Sequence, residues 1–170
     1  SLYHATAWGL PFAGPINGVK FVFPCDRFDG KSLQELILSE GVTFSGGVPT
    51  VWTMYLEHLR KSGETPGETL DRVIIGGSSV PRDMAVEFDR FGVKVQQIWG
   101  MTETSPLGVV ATPTPALAAE GDDAMNEEIW TRQGRLLFGI DMKIVGDDGE
   151  ALPHDGEQDG ALMVRGPWVL

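Results

Sequence analysis

Short β-branched runs alternate with helical hydrophobic periods between residues 19 and 99, and this alternation constrains the fold more than any other feature. Four runs have the length and composition of strands: Val19–Phe23, Val42–Ser45, Arg72–Ile75 and Val93–Ile98. The intervals between them are long enough to hold helices. Strands joined through helices predict a parallel sheet with crossover helices. We therefore expect an α/β fold over this part of the chain.

Each interval carries an apolar stripe at helical spacing. The stripes are Leu33, Leu36 and Ile37 in the first interval, Val51, Met54, Tyr55 and Leu59 in the second, and Met84, Phe88 and Phe91 in the third. Asp29 can cap the first helix, Pro49 precedes the second, Pro81 suits the first turn of the third, and Gly92 ends it. We interpret these stripes as core packing rather than as a cofactor site.

The pattern changes after the predicted sheet. Prolines and acidic residues in 113–131 predict a loop with short helices, which docks through Ile129 and Trp130. Strands then return without helices between them, at Met142–Val145 and Leu162–Val164. We expect a smaller mixed or antiparallel β portion here. The predicted divisions of the chain are residues 1–112, 113–131 and 132–170.

Charge and composition narrow the classes of function. Of 170 residues, 42% are hydrophobic and 22% are charged, as in a soluble globular protein, and the net charge is −11. Nucleic acid and anionic membranes would repel such a chain, so neither is an expected partner. The single cysteine, Cys25, cannot form an internal disulfide, and no apolar run is long enough to span a membrane. We therefore expect a cytoplasmic protein.

The segment Gln97–Pro106 begins in the fourth predicted strand and continues beyond its end, and ligands in open α/β sheets bind outside the carboxyl ends of strands. Trp99 can stack on a purine, and Gly100 lets a ligand approach the backbone. Thr102 can donate to a phosphate oxygen, and Glu103 can bind a hard cation such as Mg²⁺. Alone, Trp99 is more often core packing and Glu103 a solvated carboxylate. Their ordered combination indicates a nucleotide site.

A second loop, Gly76–Pro81, lies between the third predicted strand and its helix. Backbone amides and the small side chains of Gly77, Ser78 and Ser79 can line a flat ligand there. Alternatively, the segment is a strand-to-helix turn capped by Ser79. It lacks the lysine and spacing of a P-loop and the three glycines of a dinucleotide fingerprint. Because it follows a neighbouring strand, we expect it to form one slot with the Gln97–Pro106 loop.

Four segments resemble, in order, motifs of the adenylate-forming superfamily, which contains acyl-CoA synthetases, luciferases and the adenylation domains of peptide synthetases. They are His4–Pro11, Gly76–Pro81, Gln97–Pro106 and Gly160–Pro167. Residues 99–103 are similar to the family's Tyr/Trp-Gly-x-Thr-Glu motif, and the first segment is similar to the aromatic gate of fatty acyl-CoA synthetases. The resemblance favours a medium- or long-chain fatty acyl-CoA ligase, of which this chain would be an internal piece of the large N-terminal domain.

The resemblance implies a two-step reaction. A fatty acid carboxylate attacks the α-phosphate of ATP to give acyl-AMP and pyrophosphate, and the thiol of coenzyme A then takes the acyl group. Thr102 would contact the α-phosphate and Glu103 would ligate Mg²⁺. The implied nucleotide-binding residues are Gly77, Ser78, Ser79, Gln97, Ile98, Trp99, Gly100, Met101 and Thr102. The implied gate and acyl-pocket residues are His4, Trp8, Gly47 and Val48, although His4 and Trp8 also suit plain packing.

The resemblance is incomplete. Ile98 stands where the family usually has glycine, Trp99 where tyrosine is frequent, and Ser78-Ser79 where an alanine-rich pair is more usual. The family's phosphate loop, ribose-binding aspartate, hinge and catalytic lysine have no counterpart, so we expect no ligase activity from this chain alone. The alternatives are a fatty acyl-AMP ligase, an aryl-CoA ligase, an amino-acid adenylation domain and a non-catalytic α/β binding domain. A homodimer is compatible with the sequence.

Overall fold

The computed structural model describes residues 4–170, except for the side chains of residues 122–125 and 128. Two sheets organise this part of the chain, one with five strands and one with three. The first contains β1 (Phe44–Gly47), β2 (Arg72–Ile75), β3 (Lys94–Trp99), β4 (Val109–Val110) and β5 (Arg135–Leu136), in that spatial order. The second has the order β7 (Ala151–Leu152), β6 (Asp141–Val145), β8 (Ala161–Arg165).

Strands β1, β2 and β3 are parallel and in close register. Gly47 lies opposite Ile75, and Ile75 lies opposite Gln97. The pairs β3–β4 and β4–β5 are antiparallel, as are both pairs of the second sheet. The predicted α/β fold, a parallel sheet followed by a smaller antiparallel portion, is therefore confirmed.

The helices follow most of the start and stop signals in the sequence. They are α1 (Ala5–Trp8), α2 (Leu10–Ile16), α3 (Gly30–Glu40), α4 (Pro49–Ser62), α5 (Arg82–Arg90), α6 (Pro115–Ala119) and α7 (Asp122–Thr131), with a 3₁₀ helix at Thr102–Thr104. Asp29 caps α3 by accepting a hydrogen bond from the Ser32 amide at 3.0 Å. Helices α4 and α5 provide the crossovers between the parallel strands. No helix within residues 4–170 is long and apolar enough to cross a bilayer.

An aromatic cluster forms the centre of the core between α4, α5 and the parallel strands. The ring centroids of Trp52 and Phe88 lie 5.5 Å apart in an edge-to-face arrangement, and Tyr55 stacks on Phe88 at 6.4 Å. Burial raises the pKa of Tyr55, whose hydroxyl donates to Gln34 Oε1 at 2.8 Å. The largest side chains of the core are thus both packed and satisfied in their hydrogen bonding.

The predicted strand Val19–Phe23 is wrong, because this segment pairs with no strand among residues 4–170. Phe21 and Phe23 stack on each other with centroids 5.7 Å apart. Phe21 also packs against Gly14, where an added Cβ would lie 2.2 Å from the ring. Phe21 therefore packs on α2 and on Phe23 rather than within a sheet, and both rings stay partly exposed.

The start of β1 lies two residues later than Val42, where the sequence pattern placed it. The Val42 amide donates to the Ile37 carbonyl at 3.0 Å and so caps the end of α3. The inward face of α4 also differs, because Met54 is 42% exposed whereas Trp52 and Leu56 are buried. For α5, Pro81 is the residue before the helix rather than part of its first turn, and Ser79 lies too far upstream to cap it.

Phe88→Ala is expected to lower the free energy of unfolding by about 3–5 kcal/mol, because it opens a cavity against Trp52 and Tyr55. Urea denaturation followed by tryptophan fluorescence measures this change. Phe138→Ala is the matched control, because Phe138 is 99% exposed, and it should change the free energy by less than about 0.5 kcal/mol. Equal effects of the two substitutions would contradict the assigned core.

Candidate functional site

Three loops leave the same edge of the first sheet because β1, β2 and β3 run in parallel. They begin with Val48 after β1, Gly76 after β2 and Gly100 after β3. The first two loops touch, since a Cβ on Gly77 would lie 3.1 Å from Val48 Cγ1. The sequence-based expectation that these loops would meet at one edge follows directly from the parallel register.

A cavity of about 290 Å³ lies at this edge. Its described lining consists of His4, Ala5, Trp8, Gly77, Ile98, Gly100, Met101, Thr102, Glu103, Pro106 and Leu107. The cavity thus brings together residues from both predicted nucleotide loops and from the predicted gate segment. Ala5, Pro106 and Leu107 line the cavity but were not among the predicted site residues, although Pro106 ends the segment Gln97–Pro106.

Helix α1 presents Trp8 to the cavity from the far end of the chain. Its four residues have φ between +46° and +56°, the left-handed region that disfavours side chains other than glycine. A Cβ on Gly46 would lie 3.5 Å from Trp8 Cζ3, so the indole lies close to the end of strand β1. The aromatic surface inside the cavity is therefore supplied by Trp8.

Several predicted site residues lie beside the cavity rather than in its described lining. Ser78 and Ser79 are exposed on the loop after β2. The Gly47 carbonyl accepts a hydrogen bond from Trp52 Nε1 at 3.2 Å, which ties this residue to the core. The indole of Trp99 lies against Gly108, where an added Cβ would be 2.8 Å from Trp99 Cζ3. In this structure Trp99 therefore packs on the turn between β3 and β4.

The side chain of Gln97 connects β3 to α7. It is 3% exposed, and its Nε2 donates to the Trp130 carbonyl at 2.6 Å and to the Ile129 carbonyl at 3.2 Å. Trp130 packs against the core, as the sequence predicted. The Gln97 amide thus positions a helix beside the strand that leads into the cavity.

Arg82 adds a second connection to α7 from the start of α5. Its Nε lies 3.1 Å from Glu127 Oε2, and its guanidinium stands 5.8 Å from the centre of the Trp130 ring. Hydrogen bonding from Arg82 lowers the pKa of Glu127. Because both side chains are half exposed, this ion pair orients α7 more than it stabilises the protein.

The segment after β8 contacts the loop that carries Thr102 and Glu103. The Leu170 amide donates to the Glu103 carbonyl at 2.8 Å, and Trp168 Nε1 donates to the Leu107 carbonyl at 3.2 Å. Both bonds use backbone oxygens and so leave the Glu103 carboxylate without a partner from this segment. The segment after β8 therefore holds the backbone of this loop in place.

Glu103 is the carboxylate in the described lining of the cavity that could hold a cation. Within the described part of the chain, no three His, Cys, Asp or Glu side chains gather as a metal site. Glu103 is exposed and lines the cavity beside Thr102. Mg²⁺ is commonly held by one or two carboxylates together with substrate phosphate oxygens, and this arrangement fits a single Glu103 carboxylate.

A larger cavity of about 530 Å³ lies along β4 and β5. It is lined by Val110, Thr112, Gly134, Arg135, Leu136 and Leu137. It includes none of the residues predicted to bind a ligand, and it lies along the antiparallel strands rather than at the carboxyl edge of β1–β3. The smaller cavity is therefore the better candidate site.

The family model of the AMP-binding enzymes matches residues 1–170, the whole of the sequence. The chain belongs to the AMP-binding enzyme family. It is 44% identical to the medium-chain-fatty-acid–CoA ligase of Ectopseudomonas oleovorans and 42% identical to the 3-methylmercaptopropionyl-CoA ligase of Ruegeria lacuscaerulensis, in each case over 99% of this chain. It spans 31% of the length of each relative.

A solved structure has the same fold. The O-succinylbenzoate coenzyme A synthetase of Bacillus subtilis, solved in complex with ATP and magnesium ion, superposes with a TM-score of 0.69 at 23% identity. The match covers 99% of this chain and 32% of that protein. At this identity the likeness shows the fold alone.

Gln97→Met is expected to loosen α7, because the Ile129 and Trp130 carbonyls in the last turn of this helix lose the hydrogen bonds from the Gln97 amide. Hydrogen–deuterium exchange of the amides in residues 115–131 should become about tenfold faster or more. Gln96→Met is the matched control, because Gln96 lies on the same strand with a partly exposed side chain. Unchanged exchange in Gln97→Met would contradict the positioning of α7 by Gln97.

Proposed function

We propose that the full-length protein is an AMP-forming fatty acid–CoA ligase. It would activate a fatty acid as acyl-AMP with ATP and transfer the acyl group to coenzyme A. The observation that carries the proposal is the meeting of Thr102, Glu103, Gly77 and Trp8 around one cavity at the carboxyl edge of the parallel strands. Family membership and the two relatives named as CoA ligases support it.

The first half-reaction requires a carboxylate to approach a negatively charged phosphate. When bound, Mg²⁺ would reduce the repulsion between these groups. Glu103 would hold the cation through its carboxylate, and Thr102 would donate its hydroxyl to an α-phosphate oxygen. Both side chains are exposed on one 3₁₀ helix, so neither polar group is desolvated before the ligand binds.

The adenine would lie against the loop after β2. Gly77 has φ +86° and no side chain, so a flat base can approach its backbone. Ile98 provides an apolar contact from β3, and Ser78 and Ser79 offer hydroxyls at the loop surface. Gln97 and Trp99 would shape this slot through the backbone of β3, since their side chains contact α7 and Gly108.

The acyl chain would enter beside the gate segment. Trp8 offers an indole and His4 a polar ring to the same cavity, while Gly47 ends the neighbouring strand β1 and Val48 follows it. Indole and aliphatic surfaces favour an apolar chain over a charged one. Because one relative is named for a medium-chain fatty acid and another for 3-methylmercaptopropionate, both acids belong among the candidate substrates.

A panel of acids tests the reaction on the full-length protein. The assay measures ATP–pyrophosphate exchange with Mg²⁺ and one acid at a time: acetate, 3-methylmercaptopropionate, octanoate, palmitate, benzoate and an amino acid. Exchange that depends on octanoate or palmitate, followed by acyl-CoA formation with coenzyme A, supports the proposal. Preference for 3-methylmercaptopropionate would change the acid, and preference for benzoate or the amino acid would change the enzyme class. Exchange with none of the acids would contradict adenylate formation.

Three further expectations have no observation that tests them. The divisions at residues 1–112, 113–131 and 132–170, the cytoplasmic location and a homodimer stay predictions. Size-exclusion chromatography with light scattering measures the oligomeric state of the full-length protein directly.

Glu103→Gln is expected to reduce acid-dependent ATP–pyrophosphate exchange by roughly 10²–10³-fold, because the neutral amide holds the cation poorly. The apparent affinity for Mg²⁺ should fall at the same time. Glu120→Gln is the matched control, because Glu120 is an exposed carboxylate outside the cavity lining. Full activity in Glu103→Gln at low Mg²⁺ would contradict the assigned role.

A further inference from the structure

Thr104 is a buried residue between two exposed ones in the loop after β3. It is 2% exposed, whereas Glu103 and Ser105 on either side are exposed. Thr104 itself lies outside the described lining of the cavity. A buried hydroxyl needs hydrogen-bond partners within the protein, and the partners of Thr104 lie in the same loop.

The Thr104 hydroxyl joins the two ends of the loop. Its Oγ1 accepts a hydrogen bond from the Met101 amide at 2.9 Å. The same oxygen lies 2.5 Å from the Pro106 carbonyl and 3.0 Å from the Met101 carbonyl. Because a hydroxyl has one proton, it donates to one carbonyl at a time, and the shorter contact favours Pro106.

The geometry around this hydroxyl leaves little freedom. A Cβ on Gly100 would lie 1.6 Å from the Pro106 carbonyl oxygen and 2.9 Å from Thr104 Oγ1. Ser105 has φ +52°, a left-handed conformation that a serine keeps only where its surroundings hold it. The residues between the two anchors, Met101 and Pro106, include Thr102 and Glu103.

We propose that the Thr104 hydroxyl is a positioning group for the site: by bridging the Met101 amide and the Pro106 carbonyl, it holds Thr102 and Glu103 in the arrangement that receives Mg²⁺ and phosphate. This inference rests on the proposed adenylate-forming function for its catalytic consequence. Its structural part, the fixed loop, is independent of any ligand.

The hydroxyl and the shape of the side chain can be separated. Thr104→Val keeps the branched shape but leaves the Met101 amide without its acceptor and the Pro106 carbonyl without its donor. Thr104→Ser keeps both hydrogen bonds and loses one methyl group. Val73→Ala on β2 is the control for general loss of stability, because Val73 is fully buried and lies in the same sheet away from the loop.

Two measurements on the full-length protein test the proposal. Hydrogen–deuterium exchange reports the amides of residues 101–105 without ligand, and acid-dependent ATP–pyrophosphate exchange gives kcat and KM for ATP with Mg²⁺. For Thr104→Val we expect faster amide exchange in this loop and roughly 10- to 100-fold lower kcat, since small displacements of positioned groups have effects of this size. Thr104→Ser should restore both, and Val73→Ala should leave kcat within about twofold.

The outcomes separate this inference from the proposed function. Unchanged loop exchange in Thr104→Val overturns the positioning role, whatever the activity. Faster loop exchange with unchanged kcat also overturns it, because the loop would then move without consequence. A wild-type protein that is inactive with every acid refutes the proposed function, whereas faster loop exchange in Thr104→Val reversed in Thr104→Ser would still support the hydroxyl as the loop anchor.

Discussion

The parallel hydrogen-bonding register of β1, β2 and β3 is the constraint on which the rest of the structure depends. It brings the ends of three strands, separated in sequence by two crossover helices, to one edge of one sheet. The aromatic cluster of Trp52, Tyr55 and Phe88 fixes those helices against the sheet. The cavity lies at this edge, where ligands of open α/β sheets bind.

The parallel strands were predictable because their signals are local. Arg72–Ile75 has the composition of a buried strand and forms β2 with the predicted bounds, and Asp29 caps α3 as its side chain suggests. Val19–Phe23 has a similar composition but lies unpaired within the described structure, because a strand also needs a partner and composition does not supply one. The short strands β4 and β5 escaped prediction because two residues carry no periodicity.

The site was predictable to the extent that it follows strand ends. Thr102, Glu103, Gly77 and Trp8 line one cavity, whereas the contacts behind them depend on tertiary packing. Gln97 belongs to the motif, yet its side chain is directed to α7, and the support from Trp168 comes from 61 residues away in sequence. No local pattern distinguishes a glutamine that binds a ligand from one that holds a helix.

A crystal structure of the full-length protein with ATP and Mg²⁺ tests the central claim most directly. The account predicts the adenine beside Gly77 and the cation bound by Glu103 and phosphate oxygens, within the cavity at the carboxyl edge of β1–β3. Nucleotide density along β4 and β5, beside Arg135 and Leu136, with the first cavity empty, would contradict it.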